Sequence, residues 1–274
     1  MKEAFIIGKD VSKGARSPVL WNACFEHFKI DASMGAIDIE SDTELMTFLN
    51  EQLNNSNFLG AAVASPIKEN VSNFFIENFN IDFYGPANCF YKFNDKYSVL
   101  NSDTLAALET ISIYFPGQNF SDVAILGSGA VAKSLAYNLK DHNSSKTIYA
   151  RSDEHFETLK SFNFECKKFS DINLNFNQHQ IVVNCTSLGR DGKNNESPID
   201  EEVLSGSNSK NSFVFDVNYI NSPSQLLKTC SLNGIPNVDG SRMNLMQAAI
   251  AFGHANQLVD VKDEILKVME SAIL

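Results

Sequence analysis

The chain has 274 residues, 43% of them apolar and 20% charged, and a formal net charge of −11. That length fits two domains with proper cores, and the modest charged share without a long polar tract excludes a disordered chain. An acidic surplus with no basic cluster excludes nucleic acid and an anionic membrane surface as expected partners, so any anionic ligand must be held by local basic residues.

In chain order, Ala4 to Gly8 reads as a short apolar strand, and Pro18 to Phe28 as a helix with Val19, Leu20, Ala23 and Phe28 on one side. Met34 to Ile39 is expected to be a strand and Thr43 to Asn54 a helix. Phe58 to Ala64 follows as a strand, and Ile67 to Phe79 as a helix opening just after Pro66. Cys89 to Phe93 and Tyr97 to Leu100 read as a hairpin about Asn94 and Asp95. Later strands are expected at Val123 to Leu126, Thr147 to Ala150, Ile181 to Asn184 and Phe213 to Asp216, with helices between. Lys193 to Ser197 and Gly206 to Ser212 read as polar loops, and Met243 to about Gln257 as a helix returning to the first domain. Strands alternating with helices predict an α/β fold with mainly parallel sheets in two domains. Their boundaries are residues 1–104, joined again by 240–274, and residues 105–239.

The most informative stretch runs from Ser121 to Ser152. Its first strand feeds Gly127-Ser128-Gly129-Ala130-Val131-Ala132, a helical run reaches about Lys140, and a second strand ends at Arg151. Strand, glycine-rich turn, helix and strand, in that order, are what a dinucleotide pyrophosphate requires. Gly127 allows the tight turn, Gly129 lets the backbone approach the phosphates, and Ala132 lets helix and strand pack closely. The helix N-terminus adds unpaired N–H groups facing the anion. An NAD site usually ends its second strand on Asp or Glu. Here Arg151 and Ser152 stand at that position, and a guanidinium pairs with a 2′-phosphate, which points to NADP rather than NAD.

Five scattered cysteines (Cys24, Cys89, Cys166, Cys185, Cys230) form no CxxC pair, which suits free thiols in a reducing compartment and gives no zinc site. The five histidines are isolated and are expected at the surface or in caps, so no metal is expected. The N-terminal apolar run is too short for a signal peptide, and no 18-residue apolar segment occurs; a soluble, cytoplasmic protein is expected.

Several short segments together resemble the shikimate dehydrogenase family, over nearly the whole chain. Ser17-Pro18 with Asn22 resembles its SxSPxxHN motif, and Gly60 to Lys68 resembles GxNVTxPxK. Gly85 to Asn88 resembles GAVN, Asn101-Ser102-Asp103 resembles NTD, and Asn184 to Gly189 resembles NxTxxG. Asp216 to Tyr219 resembles the D-x-x-Y segment, and Asp239-Gly240 with Met243 and Gln247 resembles DGxxMLxxQ. The resemblance implies a substrate domain (1–104 with 240–274) and a Rossmann NADP-binding domain (105–239). It implies reversible NADP-linked oxidation of a ring hydroxyl of shikimate, quinate or a related cyclic hydroxy acid, by a monomer or homodimer. Lys68 would transfer the proton with Asp103 as its partner. Ser17, Asn88, Tyr219 and Gln247 would bind substrate. Gly127, Ser128, Gly129, Ala130, Ala132, Arg151, Ser152, Thr186 and Met243 would bind the cofactor.

Departures from the family pattern cluster on the substrate side. Ala15 stands for the first Ser of SxSP, Trp21 for the His, Ala62 for the Asn, Ala64 for the Thr, and Ala106 for the Gly after NTD. Lost hydroxyls at a site built to satisfy a substrate hydroxyl change preference or weaken binding. Arg16 offers a bidentate replacement for a substrate carboxylate. The pattern therefore resembles shikimate dehydrogenase-like paralogues more than the biosynthetic enzyme. Two alternatives are a nucleotide sensor that has lost substrate binding and another two-domain NADP enzyme such as a methylenetetrahydrofolate dehydrogenase. The retained Lys68 and Asp103 argue against the first, and Asn88 with Gln247 against the second.

Overall fold

The computed structural model describes residues 1–116, 120, 122–189, 192, 193, 195–206, 211–219 and 222–273. The chain divides into two compact units, Met1–Ala106 with Asn244–Leu274, and Ala107–Met243. The predicted polar loops at 193–197 and 206–212 fall partly outside the described residues, at 194 and 207–210. So does Ser121, the first residue of the glycine-rich stretch.

The first unit alternates β1 (Lys2–Gly8), α1 (Ser17–His27), β2 (Ala32–Asp38), α2 (Asp42–Asn54), β3 (Phe58–Val63) and α3 (Lys68–Phe79), then adds β4 (Cys89–Phe93) and β5 (Lys96–Leu100). Helix α2 forms where Ser41 caps it, its hydroxyl accepting from the Glu44 N–H at 3.2 Å, and Leu45, Phe48 and Leu49 make one buried face. Asn94 and Asp95 both take positive φ (48° and 58°), the conformation of a two-residue hairpin turn, and so join β4 to β5. The sheet runs β2-β1-β3-β4-β5. It is parallel from β2 to β3 and antiparallel through the hairpin. Gly60 lets β4 lie close, since a Cβ there would stand 2.8 Å from the Phe90 carbonyl oxygen.

Ile7, Phe48, Phe58, Phe75 and Phe90 belong to the apolar core of this unit, with α2 and α3 supplying much of the rest. The last two helices, α10 (Ser241–Ala255) and α11 (Lys262–Ser271), bring Phe252 and Ile265 into the buried set. Trp21, where the family pattern has His, is fully buried and stands edge-on to Phe252 with ring centroids 5.3 Å apart. Asn22 of the same motif stitches α1 to β2: its side chain donates to the Met34 carbonyl and accepts from the Met34 N–H.

The second unit begins within α4 (Ser102–Tyr114), a helix with no clear apolar periodicity to mark it in the sequence. It contains β6 (Val123–Leu126), α5 (Ala130–Asn138), β7 (Lys146–Ala150), α6 (Phe156–Ser161), β8 (Glu165–Lys168), α7 (Ile172–Asn175) and β9 (Ile181–Asn184). There follow α8 (Glu201–Leu204), β10 (Phe213–Asp216), α9 (Gln225–Leu232) and β11 (Asn237–Asp239). All six strands are parallel, in the order β11-β10-β9-β6-β7-β8. Counted within the unit this is 3-2-1-4-5-6 read from the β8 edge, the dinucleotide-binding order, with its switch point between β6 and β9. The inner strands are wholly buried and therefore read as continuous apolar runs. The edge strands β8 (ECKK) and β11 (NVD) carry no such run, which is why the sequence did not announce them.

One histidine corrects the sequence reading. His179 is only 6% exposed, and its Nε2 lies 2.8 Å from the hydroxyl of the fully buried Tyr149. Burial pushes its imidazole down to about 4, with Lys167 adding to the effect. It is a core residue of the second sheet.

Candidate functional site

Two polar constellations stand out, one in each unit. In the first, Lys68 opens α3 and Asp103 lies in the first turn of α4. The Lys68 Nζ stands 2.6 Å from Asp103 Oδ2, and both side chains are 23% exposed. The pair is thus half-shielded from water yet open to a ligand.

Beside it lies an amide cluster. Asn88, 4% exposed, donates from Nδ2 to Ser102 Oγ (2.8 Å) and to Gln247 Oε1 (3.2 Å), and its Oδ1 accepts from the Ser102 N–H (2.7 Å). The Ser102 hydroxyl also reaches Gln247 Oε1 at 3.4 Å. Both amide hydrogens of Asn88 are thereby used inside the protein. Asn88 orients Gln247, and the Gln247 oxygen is the end held, so its NH₂ end is left for another acceptor. Ser102 was not among the expected site residues, although it sits inside the Asn101-Ser102-Asp103 segment that carried one of the motifs.

In the second unit a depression of about 300 Å³ opens at the carboxyl ends of the strands. Its lining comes from the turn after β6 (Gly127, Ser128, Gly129), the end of β7 (Arg151, Ser152), Phe169 after β8, and the loop after β9 (Cys185 to Leu188, and Lys193). This is the crevice at the switch point, where open parallel sheets hold ligands. Gly127 has φ +102°, and a Cβ there would sit 3.3 Å from the Cys185 carbonyl oxygen, so glycine keeps the turn flat against the next loop. Gly129 caps α5, and a Cβ there would meet nothing within 4 Å. Open space at a helix N-terminus is what an approaching phosphate needs.

The loop after β9 is tied down by a buried carboxylate. Asp216 accepts from Asn184 Nδ2 (3.0 Å), from the Asn218 N–H (3.1 Å) and Nδ2 (2.9 Å), and from Ser224 Oγ (2.7 Å). Asn184 Oδ1 in turn accepts from the Thr186 N–H and hydroxyl, and Asn218 Nδ2 donates to the Thr186 and Leu188 carbonyls. Burial raises the Asp216 carboxyl above the ordinary carboxylate range, against the pull of those hydrogen bonds. The Asn184, Thr186, Gly189 and Asp216 motif residues thus form one assembly that shapes one wall of the depression. Gly240 has a related reason: a Cβ there would collide with the Val217 carbonyl. Asp239 caps α10 through the Ser241 N–H at 2.9 Å.

The remaining expected residues are placed as follows. Of the cofactor set, Gly127, Ser128, Gly129, Arg151, Ser152 and Thr186 line the depression; Ala130, Ala132 and Met243 do not. Ala132 is fully buried, as close helix–strand packing requires, and Met243 is buried in α10. Ser17 opens α1 and is half-buried, and Arg16 before it is exposed and makes no side-chain cap. Tyr219 is exposed. Lys193 and Phe169 were not anticipated; both lie where local sequence carries no pattern. Among the described residues no group of His, Cys, Asp and Glu could hold a metal ion, and no helix is long and apolar enough to cross a membrane.

Comparison with known proteins bears out the resemblance seen in the sequence. Residues 6–78 match the model of the shikimate dehydrogenase substrate binding domain. The shikimate dehydrogenase (NADP(+)) of Clostridium botulinum is 27% identical over 254 residues, covering 90% of this chain and 94% of that protein. Among solved structures, shikimate 5-dehydrogenase of Thermus thermophilus, in complex with NADP(H) and shikimate, superposes with a TM-score of 0.79. It is 18% identical and covers 99% of this chain and 100% of its own. Quinate dehydrogenase of Corynebacterium glutamicum, in complex with NAD, gives a TM-score of 0.81 at 20% identity, covering 98% and 99%. At those identities the structures speak for the fold.

Proposed function

We propose that this chain, a relative of the shikimate dehydrogenases, is an NADP-dependent oxidoreductase that interconverts a ring hydroxyl and a ketone on shikimate or a related cyclic hydroxy acid. The observation that carries the reading is the Lys68–Asp103 pair at 2.6 Å, half-shielded from water.

Oxidising a secondary alcohol removes a hydride from carbon and a proton from oxygen. NADP supplies the hydride acceptor when bound, held by the Gly127–Gly129 turn, the α5 N-terminus and Arg151; the open space at Gly129 and the guanidinium fit its phosphates. Lys68 Nζ exchanges the hydroxyl proton: it takes it during oxidation and returns it to the developing alkoxide during reduction. Asp103 holds Nζ in place against the substrate hydroxyl, so that the single hydroxyl proton points at the amine that takes it. The Gln247 NH₂, oriented by Asn88 and Ser102, donates to a further substrate oxygen. Ala15, Ala62 and Ala64 offer no hydroxyl or amide of their own, which favours a substrate less densely hydroxylated than the family pattern accommodates.

Steady-state reduction of NADP and of NAD with shikimate and with quinate tests this, comparing wild type with Lys68→Met. Turnover with NADP that falls about 10²–10⁴-fold in the variant supports the reading. Full activity in the variant, or tight nucleotide binding with no turnover of any cyclic hydroxy acid, would overturn it.

A further inference from the structure

The depression in the second unit is lined by two cations, Arg151 from the end of β7 and Lys193 from the loop after β9, and by no carboxylate among the described residues. Neither cation has an ion pair among the described residues. Other lysines near this rim are engaged: Lys168 pairs with Asp153 at 3.3 Å and Lys167 with Glu165 at 3.2 Å. Lys193 is also anchored. Its carbonyl accepts from the Gly189 N–H and from the Glu196 N–H, both at 3.0 Å. Gly189 has φ +95° and packs on Ser224, which is itself bound to Asp216. The buried carboxylate that shapes the loop therefore also fixes where Lys193 leaves the backbone.

A lysine with an anchored backbone and no ion pair among the described residues, on the wall of a cavity that also presents a guanidinium, offers an anion two positive charges. A phosphate monoester carries close to two negative charges at neutral pH, and a chain of net charge −11 repels it everywhere except at such a local cluster. We propose that Lys193 is a second specificity residue, pairing with Arg151 to hold the 2′-phosphate of the adenine ribose. This rests on the reading of the depression as an NADP site.

The test measures dissociation constants of NADPH, NADH, 2′,5′-ADP and 5′-AMP for wild type, Lys193→Gln and Lys193→Arg by fluorescence or calorimetry. In wild type, NADPH and 2′,5′-ADP bind more tightly than their partners lacking the 2′-phosphate; equal binding would sink the NADP reading itself. Lys193→Gln is expected to weaken NADPH and 2′,5′-ADP about tenfold, leave NADH and 5′-AMP within about twofold, and be rescued by Lys193→Arg. With the wild-type preference intact, unchanged NADPH binding in Lys193→Gln overturns the assignment of Lys193. An equal loss for all four ligands does the same, because it would place the lysine on a phosphate common to them.

Discussion

Asp216 gives the sharpest test of how the nucleotide depression is built. Removing the side chain as Asp216→Ala strands three buried donors: Asn184 Nδ2, the Asn218 N–H and the Ser224 hydroxyl. The fourth, Asn218 Nδ2, still reaches the Thr186 and Leu188 carbonyls. At about 1–3 kcal/mol for each stranded donor, less the relief from no longer burying a charge, the loss comes to about 4 kcal/mol. Asp216→Asn behaves differently. Burial already holds the Asp216 pKa above its ordinary value, so the neutral form is the better accommodated one. The amide keeps one acceptor oxygen, and the Ser224 hydroxyl can turn to accept from its NH₂, so the cost should stay within about 1 kcal/mol. Urea unfolding of both variants, alongside their NADPH affinity, reads the result. The Ala variant should lose most of its stability margin and loosen nucleotide binding through the Thr186–Leu188 wall, while the Asn variant keeps both. Equal losses in the two would refute the reasoning, because the carboxylate's charge rather than its acceptor geometry would then be the essential feature.

Other outcomes follow from individual residues. His179 titrates at about 4 in the folded chain against 6.5 in the unfolded one, so the unfolded state binds more protons between those values. Its contribution, up to about 3 kcal/mol, is fully present above pH 6.5 and lost as pH falls to 4. His179→Gln should flatten that part of a urea-midpoint profile, and an unchanged acid limb would count against it. Gly127→Ala places a side chain at φ +102° and against the Cys185 carbonyl. It should cost about 2 kcal/mol, lower Tm by several degrees, and weaken NADPH binding; a variant as stable and as tightly binding as wild type would show that the turn tolerates a Cβ.

Much of the fold was legible because short-range chemistry writes it. Continuous apolar runs mark β6, β9 and β10, Asn94 and Asp95 mark the hairpin, and the Gly127–Ala132 turn announces itself by spacing alone. Lys68 and Asp103 could be named only because each closes a recognisable segment; that they meet is a contact across 35 positions of sequence. Asn88 could be singled out from its segment, but its turning inward to hold Ser102 and Gln247 could not, because Gln247 lies 159 positions away. The sequence by itself determined the inner strands, most helices and the marked turns, though not β8, β11 or α4, since those it fixed depend on periodicity and on backbone preferences within a few residues. Only the tertiary structure decided the strand order that gathers the loops after β6, β7 and β9 around one depression, the burial of His179, and the place of Lys193 on the wall of that depression. Those depend on which distant segments share a sheet, and neither hydrophobic periodicity nor turn chemistry carries that information.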